Sequence, residues 1–68
     1  MARIAVIGER ARVRGFALAG AVVSPAEDPD AARAAWDGLA ADVAVVILTP
    51  RAAAALPRDG GPLRVVMP

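Results

Sequence analysis

Residues Val43 to Leu48 form an unbroken apolar run rich in β-branched side chains, with Asp42 before it and Thr49-Pro50 after it. A run that never alternates with polar residues has no wet face. As a strand it must be covered on both sides, the situation of an interior strand in a parallel sheet. Three shorter runs repeat the theme: Arg3-Ile4-Ala5-Val6-Ile7 stopped by Gly8, Ala21-Val22-Val23 closed by Ser24-Pro25, and Leu63 to Met67 before Pro68. Helix signals lie between them. Asp28-Pro29-Asp30 supplies a capping acid, a proline at the first helical position and a second acid beside it. From there Ala32, Ala35, Trp36, Leu39 and Ala40 line one face, and Asp30, Arg33 and Asp37 the other. Thr49-Pro50 repeats the cap and starts a helix over Arg51 to Leu56, which Pro57 ends. Asp59-Gly60-Gly61-Pro62 reads as a turn.

The segment Glu9 to Gly20 predicts the remaining helix. It has Val13, Phe16, Ala17 and Gly20 at helical spacing, Glu9 at the positive end of the dipole and Gly20 as the stop. Gly15 costs about 1 kcal/mol against Ala in a helix, so its expected role is to let the helix lie close on the sheet, with Phe16 in the core. The resulting order is β-α-β-α-β-α-β, which implies right-handed crossovers and a parallel sheet. The fold class is α/β: a small three-layer sandwich around a four-stranded parallel sheet, flavodoxin- or receiver-like, with expected strand order 2-1-3-4. No linker, repeat or low-complexity tail divides the chain, so residues 1–68 are expected to be a single domain.

A chain of 68 residues hides only about 60% of its unfolded surface on folding. It has neither Cys nor His, so disulfides and the usual zinc ligand sets are excluded. A partner that covers leftover apolar surface is the expected stabiliser. No apolar run approaches the roughly 20 residues of a membrane span, and the charged residues from Glu9 to Arg14 follow too soon for a signal peptide. The expected location is therefore the cytoplasm. Charge is uneven. Residues 1–16 carry a local +3, residues 24–42 a local −4 and residues 43–68 a local +2.

Ligands in such folds bind beyond the C-terminal strand ends, here Gly8-Glu9-Arg10 and Thr49-Pro50-Arg51. A dinucleotide fingerprint needs two further glycines after Gly8, and Arg10 and Val13 stand in their places. A Walker phosphate loop needs a lysine, and the chain has none. A phosphoacceptor receiver needs a carboxylate pair after strand 1 and an Asp ending strand 3; the chain offers Glu9 alone and Thr49-Pro50. The acids from Glu27 to Asp42 fall in a loop and on a polar helix face, which reads as solvated surface rather than a metal site. Ser24 sits before a proline without a base in view. No catalytic residue, cofactor or metal is expected. Arg10, Arg12 and Arg14 suggest nucleic acid only weakly. The chain's two aromatics, Phe16 and Trp36, sit on apolar helical faces rather than among the arginines, and Arg12 is rotated away from Arg10 and Arg14.

The segment Ile4-Ala5-Val6-Ile7-Gly8-Glu9-Arg10, followed by Val13-x-Gly15-Phe16-x-Leu18-Ala19-Gly20, resembles the opening of the F subunits of archaeal/vacuolar-type rotary ATPases. The likeness continues through Glu27-Asp28-Pro29, Val45-Val46-Ile47-Leu48-Thr49 and the closing Pro62-Leu63-Arg64-Val65-Val66-Met67-Pro68. It implies a non-catalytic central-stalk component, peripheral to the membrane on its cytoplasmic side. Such a component binds the coiled-coil axle and other stalk subunits and helps couple ATP synthesis or hydrolysis to proton or sodium transport. Neither nucleic acid nor a homo-oligomer is implied. Glu9 stands where that family favours Asp, and the family's helical tail after the last strand has no counterpart before Pro68. Arg10, Arg14 and Arg51 are the expected rim contacts, because Arg pairs bidentately with carboxylates on a coiled coil. The rival reading is a degenerate receiver-like or nucleotide-binding regulatory module, with a phosphate-bearing ligand near Gly8 and Thr49.

Overall fold

The computed structural model describes residues 3–57 and 61–68, and within them the side chains of residues 17–19 are outside the description. Strands β1 (Arg3–Gly8), β2 (Val22–Pro25), β3 (Val43–Leu48) and β4 (Leu63–Val66) form one sheet in the order β2-β1-β3-β4, every pair parallel. That is the α/β architecture and strand order expected above. The turn expected at Asp59-Gly60 lies outside the described residues.

Helix α1 (Arg10–Val13) lies on one face of the sheet. Helices α2 (Pro29–Asp37) and α3 (Pro50–Ala55) pack together on the other, as right-handed crossovers require for this strand order. The main core sits on the α2/α3 side. It joins Ala5 and Ile7 of β1 and Val46 and Leu48 of β3 to Ala32, Ala52 and Leu56. Val6 and the α1 residue Val13 are fully buried but belong to the opposite face. Both caps read from the sequence form. The Asp28 carboxylate accepts from the Ala31 N–H at 2.7 Å, and Thr49 Oγ1 accepts from the Ala52 N–H at 3.3 Å. Leu56 has extended backbone ahead of Pro57, so α3 runs over 50–55 rather than 51–56. Helix α2 ends at Asp37 with Gly38 as its cap; Leu39 still packs on the core, but from beyond the helix.

The first crossover differs from expectation. Only Arg10–Val13 is α-helical, and Arg14–Ala19 winds as a 3-10 helix. A 3-10 helix rises about 2.0 Å per residue against 1.5 Å in an α-helix, so the segment covers more distance with the same residues. Gly15 does not bring helix and sheet together. It is exposed, and a Cβ built on it has no neighbour within 4 Å. Its effect is to remove helix preference where the winding changes. Phe16 is half-buried rather than part of the core. Gly20 ends the crossover as expected, at φ +86°.

Gly61, at φ +77°, is needed on two counts, since a Cβ there also falls 2.5 Å from the Trp36 ring. The Arg64 guanidinium lies 4.6 Å from the centre of the same ring, a cation–π contact that ties β4 to α2.

Candidate functional site

The C-terminal ends of β1 and β3 meet at the switch point of the sheet. In open parallel sheets this crevice takes the ligand. Here it is filled. Thr49 is fully buried and its N–H bonds the Ile7 carbonyl at 3.2 Å. Its side chain lies so close to Gly8 that a Cβ on Gly8 falls 2.6 Å from Thr49 Oγ1. Gly8 is therefore more than a strand-ending residue: its missing side chain is the space Thr49 occupies.

What stays open beside this plug is a cleft of about 40 Å³ lined by Glu9, Ala26, Glu27, Asp28, Pro29, Ala32, Arg51 and Ala52. That is room for water rather than a nucleotide, which takes a pocket of roughly 300 Å³ or more. Three of the lining residues are carboxylates, the wrong charge for a phosphate. Glu27 Oε1 accepts from the Arg10 N–H at 2.9 Å and so satisfies the start of α1 from a distant loop. Glu9, at the N-cap position, makes no capping bond. Its side chain is only 14% exposed, with Oε1 3.8 Å from Arg51 Nε and Oε2 buried without a hydrogen-bond partner.

The structure separates the three arginines singled out from the sequence. Arg10 and Arg14 are exposed one turn apart on the α1 side, where the Arg14 N–H bonds the Arg10 carbonyl. Arg51 is exposed on α3, in the opposite layer, facing Glu9. Arg12 points away from Arg10 and Arg14, as its spacing predicts: its Nη2 donates to the Pro68 carbonyl at 3.1 Å, joining α1 to the residues after β4. Among the described residues, the ion pairs are Arg3–Asp42, Arg33–Asp30 and Arg51–Glu9, so none involves Arg10, Arg12 or Arg14.

A second feature went unread in the sequence. On the α1 side, α1 and the 3-10 segment pack over β1 and β2. The register puts Ile4, Val45 and Leu63 in one row of that face, and Val23, Val6, Ile47 and Val65 in the next. Val6 is fully buried, whereas Ile4 is 48%, Val65 49% and Leu63 69% exposed. Among the described residues no element packs on this face over β3 and β4. Counting layers would have found it: three crossover helices place two on one face and one on the other, and a single short helix spans two strands.

A narrower apolar groove runs between α3 and β4, lined by Pro50, Ala53, Ala54, Leu56, Arg64 and Val66. Arg64 Nη2 is buried there without a hydrogen-bond partner.

Comparison with known proteins adds one match. Residues 4–62 fit the protein-family model described as ATP synthase (F/14-kDa) subunit. No curated protein and no solved structure matches significantly.

Proposed function

Because the chain belongs to the family of F/14-kDa subunits of A/V-type ATP synthases, we propose that it is a non-catalytic part of the central stalk, bound to the coiled-coil axle. In that position it helps couple ATP synthesis or hydrolysis to proton or sodium transport. The observation that carries this reading is the filled switch point. Thr49 fills the space beside Gly8 at the switch point, and the cleft beside it is small and lined by three carboxylates. What remains for such a sandwich to do is to hold a neighbour.

Residues 1–68 act in this reading as one rigid α/β unit. Its partners are the axle and the other stalk subunits, on the cytoplasmic side and peripheral to the membrane. Among the described residues, no helix is long and apolar enough to cross a membrane. Arg10 and Arg14 serve as rim contacts, free of carboxylate partners within the described chain and suited to bidentate pairing with carboxylates of a coiled coil. Arg51 is a third such contact. Its Nε stands 3.8 Å from Glu9, beyond hydrogen-bond range, and its side chain is 74% exposed.

Co-expression with the axle and head subunits, followed by isolation through a tagged axle, tests the reading. The chain is expected in the recovered complex, and Arg10→Glu with Arg14→Glu should weaken its retention about tenfold, since reversed rim charges repel. A chain never recovered with any stalk or head subunit, or one that binds ATP alone in a calorimeter, sinks it.

A further inference from the structure

We propose that β4 is a strap. It opens and recloses as one unit, with the Trp36–Arg64 contact as its clasp, while the β2-β1-β3 sheet and its helices stay folded.

The two edge strands of the sheet are held in different ways. β2 pairs with β1 and is packed by α1 and the 3-10 segment. β4 pairs with β3, and among the described residues that ladder is its main packing. β4 supplies no residue to the main core, which β1, β3, α2 and α3 build without it. Its aliphatic side chains, Leu63, Val65 and Val66, are 69%, 49% and 48% exposed, and its best-covered side chain is Arg64. A strand that hides so little apolar surface loses little when its ladder parts. Such elements open at lower free energy than the whole fold does.

The attachments beyond the ladder are few and local. Arg12 donates to the Pro68 carbonyl at 3.1 Å, an exposed contact. The other two meet on one indole. The Arg64 guanidinium lies 4.6 Å from the centre of the Trp36 ring, and Gly61 passes against that ring because it has no Cβ. Trp36 itself packs on the main core, so the ring is anchored in the body and grips the strap at both residues. Release of that one ring frees both grips together.

Opening bares the outer edge of β3. The Leu48 carbonyl loses the Met67 N–H, which it accepts at 2.8 Å. Backbone groups alternate along a strand, so Val65, two residues earlier, also turns its N–H to β3. What is left is a three-stranded sandwich with its core intact and an edge able to pair with an extended segment.

Native-state hydrogen exchange on the full chain, followed by NMR, tests this. The reporters are the Val65 and Met67 amides for the strap, and for the body the Thr49 amide, which donates to the Ile7 carbonyl at 3.2 Å. Val65 and Met67 are expected to share one protection factor, at least about tenfold below that of Thr49. Val6 is fully buried on β1, away from the strap, so Val6→Ala weakens the body equally with β4 open or closed. It should lower Thr49 protection about thirtyfold and leave Val65 and Met67 unchanged. Asp28→Ala, a milder change in the body, should repeat the pattern with about a fivefold loss at Thr49.

Variants at the clasp should act on the strap. Gly61→Ala puts a methyl 2.5 Å from the Trp36 ring at φ +77° and should lower Val65 and Met67 protection about tenfold. Arg64→Ala should lower it about fivefold, through the lost cation–π contact. Val65 and Met67 falling in step with Thr49 in Val6→Ala or Asp28→Ala would mean that β4 opens only with the whole fold, which overturns the proposal. So does Met67 weakly protected beside a Val65 as slow as Thr49, which is fraying of the last residues. Strap amides indifferent to both Gly61→Ala and Arg64→Ala remove the clasp and the proposal with it.

Discussion

One row of side chains crosses the middle of the sheet on the α1 side: Val23, Val6, Ile47 and Val65. All are β-branched aliphatics on strands of one sheet, yet Val6 is fully buried and Val65 is half exposed. The β2–β1 half is a closed sandwich and the β3–β4 half an open one. Residue type and strand membership do not set this difference. The overlay does, because among the described residues α1 and the 3-10 segment make their main packing over β1 and β2. Hydrophobicity in a strand thus says that a face is meant to be covered, and not that its own chain covers it.

The sharpest test of this contrast lies at the seam between the halves. Gly8→Ala places a methyl in the Thr49 side chain and should destabilise the fold by about 3 kcal/mol in urea unfolding followed by circular dichroism. Thr49→Ser removes the obstructing Cγ2 and should return part of that loss in the double variant. A neutral Gly8→Ala would mean that the two halves are not locked together there. Next comes the row itself. Val6→Ala should cost about 2 kcal/mol by opening a cavity under α1, whereas Val65→Ala should cost about 0.5 kcal/mol or less in the isolated chain. Equal costs would erase the comparison, and a Val65→Ala cost that grows when the partner is bound would sharpen it.

Asp28→Ala removes the cap of α2, which serves the covered face of both halves, and should cost about 1 kcal/mol. The smallest effect is expected at the other end of the seam, where Arg3 and Asp42 make an exposed two-point contact at 2.9 and 2.7 Å. The hydrogen bond from Arg3 holds the Asp42 carboxyl below its usual range. Its contribution is therefore present above the ordinary carboxylate pKa of about 3.9 and is lost as pH falls through the lower folded value. The stability difference between the wild type and Asp42→Asn should be slight at neutral pH and vanish in acid; a difference that persists in acid would show that the pair is not its source.

Much of this fold could be read from residue order. The unbroken run Val43–Leu48, the two acid- or hydroxyl-plus-proline helix starts and the Gly20 stop each correspond to a local rule, and each formed close to its expected limits. The first crossover was less legible, because helical spacing alone does not separate α from 3-10 winding. The reason for Gly8 was hidden for a similar cause. Its constraint comes from Thr49, forty-one positions away and visible only once β1 and β3 pair. Arg10, Arg14 and Arg51 were legible as exposed charges, but their division between two layers was not. The cap that Glu27 lends to α1 is another long-range pairing with no sequence pattern of its own.

Trp36 offers a practical return. Its indole is held between Gly61 and Arg64, at the place where the last strand joins the second helix. The chain has one tryptophan and no tyrosine, so its ultraviolet emission comes from that single junction. Detachment of the final strand would expose the ring to water and shift the emission to the red. The molecule therefore carries an intrinsic optical probe of its open half, with no label needed.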